Sequence, residues 1–248
     1  MGFIFKGKDH AVSYPVLNWN EDHKIRIAPE DGTANRNSRI NMIIYHTTEG
    51  KLNKIKEGFN PTSDLAMANI IYWSRSKKSA AAQLLIGSNL KVYQICDLEH
   101  VAYHIPKLNR VSIGIEIVQE KGFVYREQLV LAAKVGNDLC DILGIQKQVH
   151  LPYVGDVERI KNGQFFGVTG HRDGDNNRGK GDPDDFIFEE LLKLGFEKFN
   201  VSKNEDIKVW KERQKNLGIK EDGIPGETTR KALENAGYNN GIWVNGKI

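Results

Sequence analysis

The sequence predicts an α/β fold in which strands form a central sheet flanked by helices, followed by a small all-α C-terminal module. Three observations carry this reading. Residues 40–45 (INMIIY) form a nearly unbroken apolar run after a polar approach, the pattern of a strand buried on both faces. Residues 112–118 (SIGIEIV) alternate, with Ile113, Ile115 and Ile117 on one side and Glu116 on the other. From 126 to 143, Leu129, Ala132, Ala133, Val135, Leu139 and Ile142 recur at helical spacing, and Gly144 stands where a helix-terminating glycine belongs.

Taken in chain order, the first strand ends in His46. A helix is expected over 63–76, where Leu65, Met67, Ile70 and Ile71 keep a partly helical spacing. Residues 82–86 and 90–95 flank Gly87, Ser88 and Asn89, a turn-type tripeptide, and read as a hairpin. The alternating strand and the long helix follow. A further helix is expected over 183–194, with Asp182 as N-cap, Pro183 in the first turn, and Phe186, Leu191 and Leu194 facing inward. Residues 200–206 (NVSKNED) turn polar and read as a linker. Beyond it, 207–217 and 227–236 read as two short helices joined by the loop DGIPG at 222–226.

The expected organisation is an N-terminal extension (1–39), a main domain (40–199), the linker (200–206), the helical module (207–238) and a tail (239–248). At 248 residues the chain is long enough for a sizeable core. With 40% hydrophobic and 27% charged residues and a mean hydropathy of −0.48, it has the profile of a globular protein, not a disordered or fibrous one. The formal net charge of +3 is too small to drive nucleic-acid binding by phosphate neutralisation alone. No stretch approaches the roughly 20 apolar residues of a membrane span, and the run Phe3 to Phe5 is too brief for a signal peptide. Export, if it occurs, is expected to use another route or a removed leader. Cys96 and Cys140 each have apolar neighbours and read as small buried hydrophobes, with a single disulfide as the alternative.

Of the seven histidines, His46 and His171 stand out because both occupy the ends of strand-like apolar runs, where a rigid scaffold holds functional groups. After His171 comes RDGDNNRGKGDPDDF, with carboxylates at Asp173, Asp175, Asp182, Asp184 and Asp185 and one lysine, Lys180. Two imidazoles and one carboxylate would leave a tetrahedral zinc ion with one open position, as catalytic zinc requires. A solvated acidic loop, or a helix cap at Asp182, is the competing reading of the same residues.

Four strings resemble the zinc-dependent N-acetylmuramoyl-L-alanine amidases of the type-2 amidase family: INMIIYHTT with His46, AQLLIGSNLKVYQI followed by HVAYH, NRVSIGIEI with Glu116, and VTGHRDG with GKGDP. They occur in the family's order across roughly residues 40 to 185. The resemblance implies the family's mixed sheet flanked by helices, His46, His171 and Asp182 as zinc ligands, and Glu116 and Lys180 as the catalytic pair. It implies for His104 a pocket role facing substrate without binding metal. Gln83 stands where the family often has a histidine, which bears on pocket shape, and no cysteine near Asp182 offers a thiolate ligand. The implied reaction is hydrolysis of the amide between the lactyl group of N-acetylmuramic acid and L-alanine of the stem peptide, with zinc lowering the pKa of bound water from its bulk value towards about 7. Glu116 would take and return the proton, and Lys180 would face the developing oxyanion.

The segment DGIPGETTRKAL resembles peptidoglycan-binding helical repeats, with Trp210, Leu217 and Leu233 as core residues of a small bundle. Such a module would hold the enzyme on an insoluble polymer. The implied partner is peptidoglycan and the implied place of action the bacterial cell wall, as a phage lysin or a wall-remodelling enzyme. A non-catalytic peptidoglycan-recognition protein on the same fold is the alternative, against which the complete set of five metal and catalytic residues argues.

Overall fold

In the computed structural model, the described residues are 2–22, 33–50, 54–58, 65–75, 81–150, 160–163, 165–174 and 182–199, with 211, 212, 214–221, 228 and 232. The strands are β1 (Gly2–Phe5), β2 (Lys8–Ala11), β3 (Val16–Asn18), β4 (Thr33–Asn35), β5 (Met42–Thr47), β6 (Lys54–Lys56), β7 (Leu84–Ile86), β8 (Val92–Gln94), β9 (His100–Ala102), β10 (Ser112–Ile117), β11 (Phe123–Tyr125), β12 (Gln148–Val149), β13 (Gly167–Gly170) and β14 (Glu197–Lys198). The helices are α1 (Leu65–Arg75), α2 (Arg126–Leu143), α3 (His171–Gly174) and α4 (Phe186–Lys193).

Eight strands form one mixed sheet in the order β14-β12-β13-β5-β10-β7-β8-β3. From β14 to β7 every neighbour is parallel; β8 runs antiparallel to β7, and β3 is parallel to β8. The expected α/β architecture with a mixed sheet flanked by helices is therefore what the chain adopts. Apolar character on both faces of β5, whose six residues are all buried, marks it as the centre.

The two faces of β5 do different work. Ile43 and Tyr45 join Ile113, Ile115, Ile117 and Val168 in the main core, beneath Leu129, Ala132 and Val135 of α2 and Ile187, Phe188 and Leu191 of α4. Each fully buried aliphatic side chain contributes roughly 1.5–3 kcal/mol of transfer free energy. Met42 and Ile44 point the other way, into a smaller cluster with Ile105, Leu108, Ile160 and Phe165. His46, two residues on from Ile44, shares this second face.

Helix α2 spans the residues its periodicity predicts, and Gly144 ends it in the left-handed region at φ 65°. Gly136, in the middle of α2, has a packing reason. A Cβ there would stand 2.2 Å from the Tyr45 hydroxyl, which donates to the Ala132 carbonyl at 2.7 Å. At the start of α2, buried Gln128 donates to the carbonyls of Ile86 and Val118, joining the helix to the ends of β7 and β10.

The hairpin expected over 82–95 forms as β7 and β8, and the helix expected over 63–76 forms as α1. The helix expected from Pro183 begins later, at Phe186, with Asp185 at the N-cap position. Asp182 is not a cap: its carboxylate is held by the Thr47 amide, 135 residues earlier, and by His171, and the Asp182-Pro183 bond is cis. Tertiary bonds thus overrule the local capping pattern.

The first residues pack on the far end of the sheet. Phe3 is fully buried in the main core, β3 is the edge strand beside β8, and Gln94 bonds both the amide and the carbonyl of Ile4 at 2.8 Å. Cys96 and Cys140 are buried and free, so the disulfide alternative is not realised. In the C-terminal segment Lys211, Glu212 and residues 214–216 are helical. Trp210, Leu233, the 222–226 loop, most of the second expected helix and the tail lie outside the described residues. Among the described residues no helix is long and apolar enough to cross a membrane.

Candidate metal centre

Parallel strands present the site at their C-terminal ends, the edge where open α/β sheets gather functional groups. In β5 and β10 the register sets Glu116 beside His46, and in β5 and β13 it sets Gly170 beside Tyr45, so the next residue, His171, reaches the level of His46. A Cβ on Gly170 would lie 2.7 Å from Cδ of Pro183, so this glycine lets the Asp182-Pro183 segment close against the strand end. His46 and the His171 to Asp182 stretch, more than a hundred residues apart in sequence, thereby meet at one point.

His46 Nδ1 and His171 Nδ1 are 2.8 Å apart, and His171 Nδ1 lies 3.1 Å from Asp182 Oδ2. The other oxygen, Asp182 Oδ1, accepts from the Thr47 amide at 2.9 Å. All three side chains are buried. One ligand atom from each lies within 4.8 Å of the others, making this the group of histidines and acids among the described residues that could hold a metal ion. Burial pushes the Asp182 carboxyl up, but its hydrogen bond with His171, the charges of His46 and His171 and the Thr47 amide outweigh that and hold it below the usual carboxylate range.

Of the other carboxylates in this stretch, Asp173 turns to Thr169 and His150: its Oδ2 accepts from Thr169 Oγ1 at 3.1 Å and lies 3.4 Å from His150 Nδ1. Asp185 pairs with Arg172, and Asp184 accepts from the Asp185 amide. Asp175 and Lys180 lie outside the described residues.

The centre forms the floor of an open cleft of about 220 Å³. Asn69, Tyr72 and Trp73 of α1 line it together with Tyr103, His104, Glu116 and Thr48. Tyr72 is 61% exposed, so an aromatic face stands at the mouth. Gln83 lies outside this lining. It is fully buried, accepting from the Gly114 amide at 2.8 Å and donating to the His100 carbonyl at 3.1 Å, and so ties β10 to β9.

His104 sits against His46, with its Nδ1 2.9 Å from His46 Nε2 and its Nε2 3.1 Å from Ser112 Oγ. Burial and the neighbouring His171 and Arg36 charges push the His104 imidazole down to about 3. The loop carrying it is clamped. Asn109 Oδ1 accepts from the amides of His104 and Ile105, and the Arg36 guanidinium donates to the carbonyls of His100, Asn109, Arg110 and Ser112. Sequence reasoning missed Ser112, Gly114, Thr47 and Arg36. Ser112 and Gly114 share the period-two face of the alternating strand with Glu116, a placement that does not by itself mark a serine and a glycine as site residues.

Residues 36–185 match the family described as Amidase_2, N-acetylmuramoyl-L-alanine amidase, which is 150 of the 248 residues. Similar solved structures include the N-acetylmuramoyl-L-alanine amidase LysC from Clostridium intestinale URNW, at 15% identity, covering 75% of this chain and 100% of that one with a TM-score of 0.47. A mutant endolysin from Bacillus subtilis is 16% identical, with 72% and 99% of the two chains covered and a TM-score of 0.48. Drosophila peptidoglycan recognition protein SD is 14% identical, with 76% and 99% covered and a TM-score of 0.49. No curated protein matches the chain. On the family match over more than half its length, the chain belongs to the N-acetylmuramoyl-L-alanine amidase family.

Proposed function

We propose that the chain is a zinc-dependent peptidoglycan amidase, hydrolysing the bond between the lactyl group of N-acetylmuramic acid and the L-alanine of the stem peptide. The observation that carries this reading is the buried convergence of His46, His171 and Asp182 beneath an open cleft. The donor set fits zinc: two imidazole nitrogens and one carboxylate oxygen suit a borderline ion and leave a tetrahedral site one position for water or substrate. Held there, zinc supplies Lewis acidity towards water and towards the amide carbonyl.

The chain's own residues supply the rest. Glu116, half-buried on the strand beside His46, accepts the proton of the attacking water and returns it to the leaving amine of L-alanine. Lys180, two residues before Asp182, gives its positive charge to the developing oxyanion. Thr47 fixes one oxygen of Asp182 and so leaves the other to the metal. The walls carrying Tyr72 and Tyr103 take the glycan and the stem peptide. The segment at 207–238, by its resemblance to peptidoglycan-binding repeats, holds the enzyme on the polymer, and the bacterial cell wall is its place of action, whether as a lysin or as a wall-remodelling enzyme.

Digestion of purified sacculi, with and without a zinc chelator, followed by mass spectrometry of the soluble products, tests this. The expected result is release of stem peptides with a free L-alanine amine, abolished by chelation and restored by zinc. Tight sacculus binding with every glycan-to-peptide bond intact would overturn the amidase in favour of a recognition protein on the same fold.

A further inference from the structure

On its site face β10 presents Ser112, Gly114 and Glu116 in succession, each beside a residue of the corresponding face of β5. Glu116 reaches the cleft. The other two residues hold His104 in place. Gly114 has no side chain where the imidazole lies, since a Cβ there would stand 2.7 Å from His104 Cγ. Ser112 stands at the far side of the same ring.

The direction of every bond in this row follows from its last member. The Leu108 carbonyl can only accept, so Ser112 Oγ, 2.7 Å away, donates its one proton there. Ser112 must then accept from His104 Nε2, which assigns the proton of that ring to Nε2 and leaves Nδ1 bare. His104 Nδ1 in turn accepts from His46 Nε2, leaving the Nδ1 lone pair of His46 directed at His171 and Asp182. Imidazole ligands are ordinarily oriented by a carboxylate, a carbonyl or water on their other nitrogen. Here the carbonyl is reached through two intervening side chains.

We propose that His104 and Ser112 are positioning residues for the metal ligand His46, a relay to the Leu108 carbonyl that fixes the tautomer and the tilt of the ligand ring. The inference rests on the reading of His46 as a ligand. It gives His104 a role towards the metal instead of towards substrate. Because Asn109 holds the His104 backbone by two amides, the ring is set by the loop and does not depend on substrate to be placed.

The test is zinc affinity, measured on metal-free full-length protein by competition with a chromophoric chelator. The folding of each variant is checked by circular dichroism. Ser112→Ala and His104→Ala are expected to weaken zinc binding about 10–100-fold. His104→Asn, whose Oδ1 takes the place of Nδ1 as acceptor from His46, is expected to stay within about threefold of the wild type. Nitrogen-15 spectra of the wild type should show His46 protonated at Nε2, and Ser112→Ala should lose that preference. If His104→Ala does not fold, Ser112→Ala and the spectra decide. Unchanged zinc affinity in the folded variants, with wild type binding zinc, overturns the relay and returns His104 to substrate. Failure of the wild type to bind zinc would instead sink the underlying metal reading.

Discussion

Gly114 and His104 are matched: the imidazole occupies the space that a side chain on β10 would fill, 2.7 Å from the position of the missing Cβ. Gly114→Ala must therefore displace the ring from His46 and Ser112. Overpacking of this kind costs about 1–3 kcal/mol, and a fall in Tm of that order is expected, together with weakened zinc binding. In a double-mutant cycle the stability cost of Gly114→Ala should shrink on a His104→Ala background, because the clash is then gone. Thermal denaturation of the four proteins checks this.

Glu116 shares the cleft with the candidate metal centre but is absent from the group of side chains that could hold the ion. Glu116→Gln, and independently Lys180→Ala, should lower kcat on a soluble muropeptide by about 10²-fold or more while zinc content stays at the wild-type level. Loss of zinc in Glu116→Gln would show that the carboxylate is structural. Steady-state kinetics with parallel metal analysis separates the two.

Tyr45 of β5 and Gly136 of α2 are a second matched pair, on the opposite face of the same sheet. Gly136→Ala brings a methyl group 2.2 Å from the Tyr45 hydroxyl and should destabilise by about 1–3 kcal/mol. Tyr45→Phe removes the donor to Ala132 and should cost about 0.5–1.5 kcal/mol. Combined, the two should cost less than their sum. Denaturant unfolding of the single and double variants measures the coupling.

The two cysteines give a pH signature. Burial pushes the Cys96 thiol from 9.0 up to about 12, with Asp97 adding to the rise and Arg36 opposing it, and burial likewise takes Cys140 to about 12. Both pKa values are higher in the folded than in the unfolded chain. Their contribution to stability is whole below about 9 and is lost as the pH rises towards about 12. At pH 8 a disulfide reagent should therefore label the native protein only as fast as it unfolds, and the unfolded protein at once.

Where a feature depends on near neighbours in sequence, the sequence showed it. Helix α2 and its glycine stop were legible because the apolar spacing and the chain reversal are local, and β5 was legible because a strand buried on both faces needs no alternation. His46 and His171 followed, since each ends such a run. Asp182 was legible only as one of five acids, and its choice rested on a family resemblance. Its local pattern pointed to a helix cap, whereas the Thr47 amide, 135 residues earlier, is what holds it. The edge strand β3 was hidden because three residues carry too little periodicity, and its place depends on pairing with β8. Ser112 and Gly114 were hidden for another reason. A serine and a glycine on a buried strand are unremarked until the ring they accommodate, carried by a separate loop, comes to lie on them.

Anomalous scattering at the zinc absorption edge, from crystals of the protein grown with zinc, tests the central claim most directly. The account predicts one strong peak bounded by His46 Nδ1, His171 Nδ1 and an oxygen of Asp182, with the other Asp182 oxygen still on the Thr47 amide. A centre that stays empty at saturating zinc, with His46 and His171 still bonded ring to ring, would contradict it.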